Sequence, residues 1–162
     1  LLTREIERCR RVWGQVVLRR RGALRALVPA LQAGANAAFA LDQNQRKRPI
    51  FLPVFGRLAA CDRSVASLAV RLRLPVAIGY ALRTGPGLRF RIVVEEVVRP
   101  GEEREEAALA RRIQGVLERT ILRHPDSYFW IHDRYRTRPP EERAARAPVP
   151  SEEGAPVEGA TR

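Results

Sequence analysis

A carboxylate and an amide stand side by side directly after an apolar run. Asp42 and Gln43 follow residues 37–41, whose side chains are all apolar, as expected of a buried strand with polar groups at its carboxyl end. Such a pair can position a hydroxyl or a phosphate-bearing group. It is equally compatible with an ordinary transition from strand to loop, and the sequence leaves both interpretations open.

Basic side chains form a second set of candidates. A guanidinium offers paired donors to a phosphate, and the candidates are Arg46, Lys47, Arg48, Arg57 and Arg83. For residues 46–48 the alternative is a solvated loop with no ligand, and a run of charge favours that alternative.

An aromatic residue followed by glycine forms a third candidate. Gly56 lacks a Cβ and so permits a close approach between backbone and ligand, beside the ring of Phe55. The alternative is a turn glycine that follows a buried aromatic residue.

The cysteines and histidines do not indicate a metal site or a disulfide framework. Cys9 and Cys61 lie far apart, no CxxC pair is present, and the chain has only two histidines, His124 and His132. We expect both cysteines to be small core residues and His132 to be a hydrogen-bonded structural histidine. No metal and no cofactor is expected.

Composition limits the class of protein. The 162 residues carry 30 Lys+Arg against 18 Asp+Glu, a formal net charge of +12, and 45% of them are hydrophobic, enough for the core of one domain. No apolar run reaches the roughly 18 residues that span a bilayer. Because the chain begins at Leu1 and has no methionine, we expect its natural N-terminus to lie upstream.

Alternating helices and apolar strands predict an α/β fold. The expected architecture is a layered domain with a mixed central sheet flanked by helices, incomplete at its N-terminal side, with its site at the carboxyl edge of the sheet. The predicted helices are 1–12, 24–31, one capped by Asp62 and 104–123; the predicted strands include 37–41, 49–55, 75–82 and 88–94. For Tyr128, Phe129 and Trp130 we expect a terminal helix packed on the core, and the alternative is an interfacial aromatic anchor.

The last part of the chain has a different composition. Residues 138–162 hold five prolines, five glutamates and four arginines with almost no large apolar side chain. Such a segment cannot bury enough surface to offset chain entropy. We therefore predict a folded unit over residues 1–137 and a disordered tail over 138–162.

Several motifs, taken in order, resemble a known enzyme family. They are Asp42 and Gln43 at the strand end; the segment 51–57, Phe-Leu-Pro-Val-Phe-Gly-Arg; the Leu-Ala pair at 68–69; the Pro-Val strand that ends near Arg83; and residues 124–139, which contain His-Pro, aromatic residues, Trp, His, Arg and a closing Arg-Pro. Together these residues resemble the lysophospholipid acyltransferase superfamily, in its lipid A biosynthesis branch of lauroyl and myristoyl transferases.

The resemblance implies a function and a location. Such an enzyme transfers a fatty acyl chain from a thioester carrier, acyl-ACP or acyl-CoA, to a hydroxyl of a glycolipid such as a lipid A precursor. It implies an anionic membrane surface as partner and the cytoplasmic face of the inner membrane as location. It also implies that Asp42, Gln43 and Arg83 line the acceptor side, that Phe55 and Gly56 shape the acyl groove, and that Arg57 contacts substrate.

One family feature is absent from these residues. Members use a histidine and an acidic residue five positions later, the histidine serving as general base on the acceptor hydroxyl. His124 is followed at that spacing by Phe129 and His132 by Thr137, so neither supplies the pair. The sequence therefore resembles the C-terminal part of such an enzyme, contains no catalytic residue of its own, and is predicted to be inactive alone.

A different class of function stays open as an alternative. The strong positive charge is also typical of a basic nucleic-acid-binding module. However, no recognised nucleic-acid motif is present, and many arginines fall on the solvated faces of amphipathic helices. We therefore expect no nucleic-acid partner.

Overall fold

The structure is a computed structural model that describes residues 2–12, 14–16, 18 and 22–145. The predictions for Trp13, for Arg19 to Arg21 and for residues 146–162 lie outside the described residues. The elements are α1 (Leu2–Val12), α2 (Ala23–Gln32), β1 (Ile50–Val54), β2 (Arg57–Cys61), α3 (Ser64–Leu72), β3 (Val76–Arg83), β4 (Phe90–Val98), α4 (Glu106–Arg123), a 3₁₀ turn (Pro125–Ser127) and α5 (Pro140–Ala145).

The first sheet is a tight hairpin. β1 and β2 pair antiparallel from Ile50 opposite Cys61 to Val54 opposite Arg57, so that only two residues form the turn. Phe55 has φ 49° and Gly56 has φ 74°, the two positive values that a type I′ turn requires. Glycine adopts this conformation freely, whereas for phenylalanine it is uncommon.

The second sheet is a longer hairpin. β3 and β4 pair antiparallel from Val76 opposite Val98 to Arg83 opposite Phe90, with a register irregularity between Ile78 and Gly79. The apolar side chains on one face of β4 are exposed, and they include Phe90, Ile92 and Val94.

The core lies where α4 packs against α3 and against β1, and α4 also contacts β3. Helix α4 forms because apolar residues recur every three to four positions, and its Leu109, Ile113 and Val116 are buried. Helix α3 begins after Asp62, whose carboxylate accepts the backbone N–H of Ser64 at 2.7 Å. The remaining core members are Leu52, Val54, Ala59, Cys61, Ala66, Ala69, Ile78, Val98 and Ala110.

The predicted mixture of helix and strand is confirmed, but the strand pairing differs from the prediction. The four strands of the described residues form two antiparallel pairs, not one mixed sheet. Residues 37–41, predicted as a buried strand, are not part of either sheet, and residues 37–40 are exposed. A strand needs a neighbour to satisfy its backbone groups, and no strand in the described part of the chain lies beside this segment.

Three further predictions differ from the structure. Residues 128–130, predicted as a terminal helix, are not helical, and turns continue to residue 136. Cys9 is exposed on its helix, so only Cys61 is a core residue. Within the segment predicted as a disordered tail, Pro140–Ala145 form a short helix, α5, and the boundary at residue 138 stays a prediction.

The helices of the described residues include none that is both long enough and apolar enough to cross a membrane.

Candidate functional site

We call residues 124–139 the C-terminal block and residues 42–45 the Asp42 loop. The block holds the loop in place. The two segments lie about 90 positions apart in the sequence and are joined by hydrogen bonds from five side chains. Those side chains belong to Asn44, Tyr128, His132, Arg134 and Thr137.

Asn44 is the most extensively bonded residue of the Asp42 loop. Its backbone N–H donates to Nε2 of His132 at 2.8 Å. Its side-chain amide donates to Oγ1 of Thr137 at 3.1 Å and accepts the Thr137 backbone N–H at 3.0 Å. Because Nε2 of His132 accepts a hydrogen bond, that ring is neutral with its proton on Nδ1. The prediction that His132 is hydrogen-bonded is confirmed.

Arg134 fastens the Asp42 loop to the core. The residue is only 6% exposed, and its guanidinium donates to the carbonyl of Gln43 at 2.8 Å, to the carbonyl of Ala60 at 2.9 Å and to Oε1 of Gln114 at 3.3 Å. Among the ion pairs of the described residues, none includes Arg134. Neutral carbonyl dipoles therefore balance this buried charge, and losing the guanidinium would leave several of them unpaired.

Cys61 is the fourth partner of this guanidinium. Its Sγ lies 3.0 Å from Nη2 of Arg134. Burial raises the pKa of the Cys61 thiol, although the positive charge of Arg134 acts in the opposite direction. The group therefore stays a neutral thiol that accepts a hydrogen bond, and it is not an activated nucleophile.

The turn of the first hairpin contacts the same C-terminal block. The ring centroids of Phe55 and Trp130 lie 6.2 Å apart. The Arg57 guanidinium lies 4.9 Å from the ring centroid of Tyr135, whose hydroxyl donates to the Val54 carbonyl at 2.8 Å. The block therefore joins the turn to the Asp42 loop.

An open apolar groove lies on the other side of Asp42. It has a volume of about 850 Å³ and is lined by residues 35–42, α3, β3 and α4. Thr120 and His124 are among its polar lining residues, and Oγ1 of Thr120 is buried without a hydrogen-bond partner. Neither Phe55 nor Gly56 lines this groove.

Tyr128 stands at the junction of the groove and the Asp42 loop. It lines the groove, and its hydroxyl donates to the Asp42 carbonyl at 3.4 Å. Burial raises the pKa of Tyr128, and the negative charge of Asp42 raises it further. The phenol is therefore neutral at physiological pH and remains a hydrogen-bond donor.

The predicted site residues fall into a connected set and one separate residue. The C-terminal block contacts Asp42, Gln43, Phe55 and Arg57, and Gly56 is the turn residue between the last two. Arg83 lies at the end of β3, where its Nε donates to the Gly87 carbonyl at 3.1 Å. No described contact joins it to the others.

Sequence reasoning missed the residues that organise this set. Arg134 and Thr137 lie within the motif that carried the resemblance, which was the available signal for them. Asn44 and Thr120 carried no comparable signal. The described part of the chain contains no group of three or more His, Cys, Asp or Glu side chains placed to hold a metal ion.

Comparison with known proteins agrees with these motifs. The family model described as bacterial lipid A biosynthesis acyltransferase matches residues 1–137. The chain belongs to this family. A lipid A biosynthesis palmitoleoyltransferase of Escherichia coli (strain K12) is 34% identical in an alignment of 128 positions, and the match covers 74% of this chain and 39% of that protein.

Two other family members match at lower identity. A lipid A biosynthesis acyltransferase of Haemophilus influenzae is 26% identical over 121 residues, covering 73% of this chain and 39% of its own length. A lipid A biosynthesis lauroyltransferase of Escherichia coli is 25% identical over 120 residues, covering 72% of this chain and 39% of its own length. The chain thus spans about two fifths of these relatives. No solved structure matches it.

Proposed function

We propose that the chain is the C-terminal portion of a membrane-associated acyltransferase. The enzyme transfers a fatty acyl chain from acyl-ACP or acyl-CoA to a hydroxyl of a lipid A precursor, at the cytoplasmic face of the inner membrane. The observation that carries this proposal is that the C-terminal block holds the Asp42 loop beside a large apolar groove. A polar acceptor and an apolar chain would meet there.

The reaction assigns different tasks to the two sides of Asp42. The hydroxyl oxygen attacks the thioester carbonyl, the C–S bond breaks, and the hydroxyl proton is transferred to the departing thiolate through a base. Asp42 lines the groove, and we assign its carboxylate to positioning the hydroxyl, while the apolar walls on β3 and α4 hold the acyl chain. Phe55 and Gly56 lie outside the groove, so we assign them with Arg57 to headgroup contacts and not to the chain.

The base itself is assigned to a part of the enzyme outside this chain. His132 uses Nε2 to accept the Asn44 N–H, and His124 packs its ring 5.6 Å from that of Tyr80. Neither has an acidic residue at the family spacing. We therefore propose that a histidine and its acid are supplied by residues upstream of Leu1.

The same upstream residues would complete the sheet. Residues 37–40 are apolar and exposed, and so is one face of β4. A soluble domain rarely leaves such a surface uncovered. We propose that strands from the upstream part of the enzyme pair with residues 37–41, which would make them the buried strand that their composition favours.

A chimaera tests the proposal. Residues 1–137 of this chain replace the matching portion of the Escherichia coli palmitoleoyltransferase, and acyl transfer from acyl-ACP to a lipid A precursor is measured. The chimaera is expected to transfer the acyl chain, whereas the 162-residue chain alone is expected to give no product above the blank. A folded but inactive chimaera, or turnover by the chain alone, would contradict the proposal.

A further inference from the structure

A small polar cavity lies between residues 44–46 and residues 132–136, and it shares no lining residue with the apolar groove. It has a volume of about 380 Å³ and is lined by Asn44, Arg46, His132, Asp133 and Arg136. Its lining includes two arginines and a histidine on two segments that are distant in sequence. The Asn44–His132 hydrogen bond fixes these two segments relative to each other.

The cations of this cavity are available to a ligand. Both Arg46 and Arg136 are exposed, and neither appears in an ion pair within the described ranges. Because Nε2 of His132 accepts the Asn44 N–H, its Nδ1 carries a proton and adds a third donor. Donors of this kind in a concave site suit a phosphate. Asp133 lines the same cavity, and its negative charge disfavours phosphate binding.

An exposed apolar loop leads directly into this cavity. Residues 129–131 immediately precede His132, and the exposed fractions are 65% for Phe129, 57% for Trp130 and 87% for Ile131. Three consecutive large apolar side chains with this exposure form a surface that water solvates poorly.

The loop holds its tryptophan in a fixed position despite the exposure. Nε1 of Trp130 donates to the Pro125 carbonyl at 2.6 Å, and its ring contacts Tyr128 edge-on at 4.9 Å. A tryptophan whose polar N–H is satisfied and whose ring is exposed is typical of the boundary between headgroups and acyl chains in a membrane.

We propose that this loop and cavity form a lipid-binding site, in which residues 129–131 enter the bilayer boundary and Arg46, Arg136 and Nδ1 of His132 bind the phosphate of a lipid headgroup. Apolar insertion and phosphate binding then occur at neighbouring positions, as the two parts of a phospholipid or phosphoglycolipid require. The exposed Lys47 and Arg48 add attraction to an anionic leaflet. Binding of such a lipid does not depend on the proposed function. Only the further step of identifying the bound lipid with the acyl acceptor rests on it.

The test uses the full 162-residue chain with Trp13 replaced by phenylalanine, so that Trp130 is the remaining tryptophan. The probes are phosphatidylcholine vesicles with and without phosphatidic acid, and inorganic phosphate alone. The chain is expected to bind the vesicles that contain phosphatidic acid, whose headgroup is a phosphomonoester. Binding is expected to shift Trp130 emission to shorter wavelength. Phosphatidylcholine alone is expected to bind more weakly, and Ile131→Ser is expected to weaken both binding and the emission shift.

Charge variants distinguish a specific phosphate-binding site from general attraction between a basic chain and an anionic membrane. Arg46→Gln and Arg136→Gln are each expected to lower affinity for the phosphatidic acid vesicles by about fivefold, the value of one basic residue at a membrane surface. Asp133→Asn is expected to raise it. The matched control is Arg71→Gln, which removes the same charge from an exposed position on α3 outside the cavity.

Three results would overturn the proposal. One is an equal loss of affinity in Arg71→Gln, which would mean bulk charge and no site. Another is equal binding to neutral vesicles. The third is binding of inorganic phosphate without any vesicle binding, which would assign the cavity to a soluble anion. None of these measurements depends on acyl transfer, so an inactive chimaera would leave them standing.

Discussion

Arg134 donates a hydrogen bond of 2.8 Å from Nη1 to the backbone carbonyl of Gln43, 91 positions earlier in the chain. The same nitrogen donates to Ala60 at 2.9 Å. One buried cation thus joins the Asp42 loop to the end of β2. The C-terminal block of this chain therefore holds the residues beside the groove in place.

Removing this guanidinium should destabilise the chain strongly. Arg134→Met keeps much of the side-chain volume but leaves the carbonyls of Gln43 and Ala60 without their donor. We expect a loss of about 3 kcal/mol in the free energy of unfolding, measured by urea denaturation. The control is Arg136→Met, two residues along on the surface, which should change it by less than about 0.5 kcal/mol. Equal effects of the two variants would contradict the assigned role of Arg134.

Gly79 should not tolerate a methyl group. A Cβ at this position would overlap the backbone carbonyl oxygen of Val93 on the paired strand, and backbone cannot move aside as a side chain can. Gly79→Ala is expected to cost about 1–3 kcal/mol of unfolding free energy.

Gly115 provides the matched control for that substitution. It lies inside α4, where a Cβ would meet only the end of the Arg119 side chain at 3.5 Å. Gly115→Ala should therefore stabilise the chain by up to about 1 kcal/mol. A Gly79→Ala variant as stable as the parent chain would contradict the described pairing of β3 with β4.

Acid should weaken the contact between the starts of α3 and α4. The hydrogen bond and charge of Arg63 lower the pKa of the Glu106 carboxyl, so the unfolded chain takes up a proton first as the pH falls. The stabilisation is complete above the ordinary glutamate pKa of about 4.3 and is lost as pH falls through the lower folded value.

Glu106→Gln should remove this part of the pH dependence. Urea midpoints measured at neutral and acid pH should differ less in the variant than in the parent chain. The control is Glu118→Gln on the same helix, since within the described residues Glu118 makes no ion pair. If the urea midpoint of Glu106→Gln fell with pH as steeply as that of the parent chain, the Arg63 contact would not contribute to the pH dependence of stability.

The sequence predicts the elements whose pattern is local and misses those that depend on distant partners. Helix α4 and the β3–β4 hairpin follow from apolar periodicity and from the Gly-Pro-Gly turn. Strand β2 was not predicted, because a two-residue turn with phenylalanine at positive φ separates it from β1. Residues 37–41 have a strand's composition but no neighbour to pair with in the described structure.

The candidate site was likewise predicted where its residues belong to a local pattern and missed where they depend on distant contacts. Asp42 and Gln43 were found because they end an apolar run, and the C-terminal block was found because its residues resemble a family motif. That the block bonds to the Asp42 loop is not encoded in any local pattern, since the bonded residues are 86 to 93 positions apart. Arg83 was grouped with them by motif, and its only described side-chain hydrogen bond lies within its own hairpin.

The most direct test of the proposed site is the rate of acyl transfer by the chimaera carrying Asp42→Asn, with the Glu118→Gln chimaera as its control. Because Asp42 is assigned to position the acceptor hydroxyl, the variant should lose about a hundredfold in kcat/KM for the acceptor, with an unchanged thermal unfolding midpoint. Transfer at the parent rate by a folded Asp42→Asn chimaera would contradict the account.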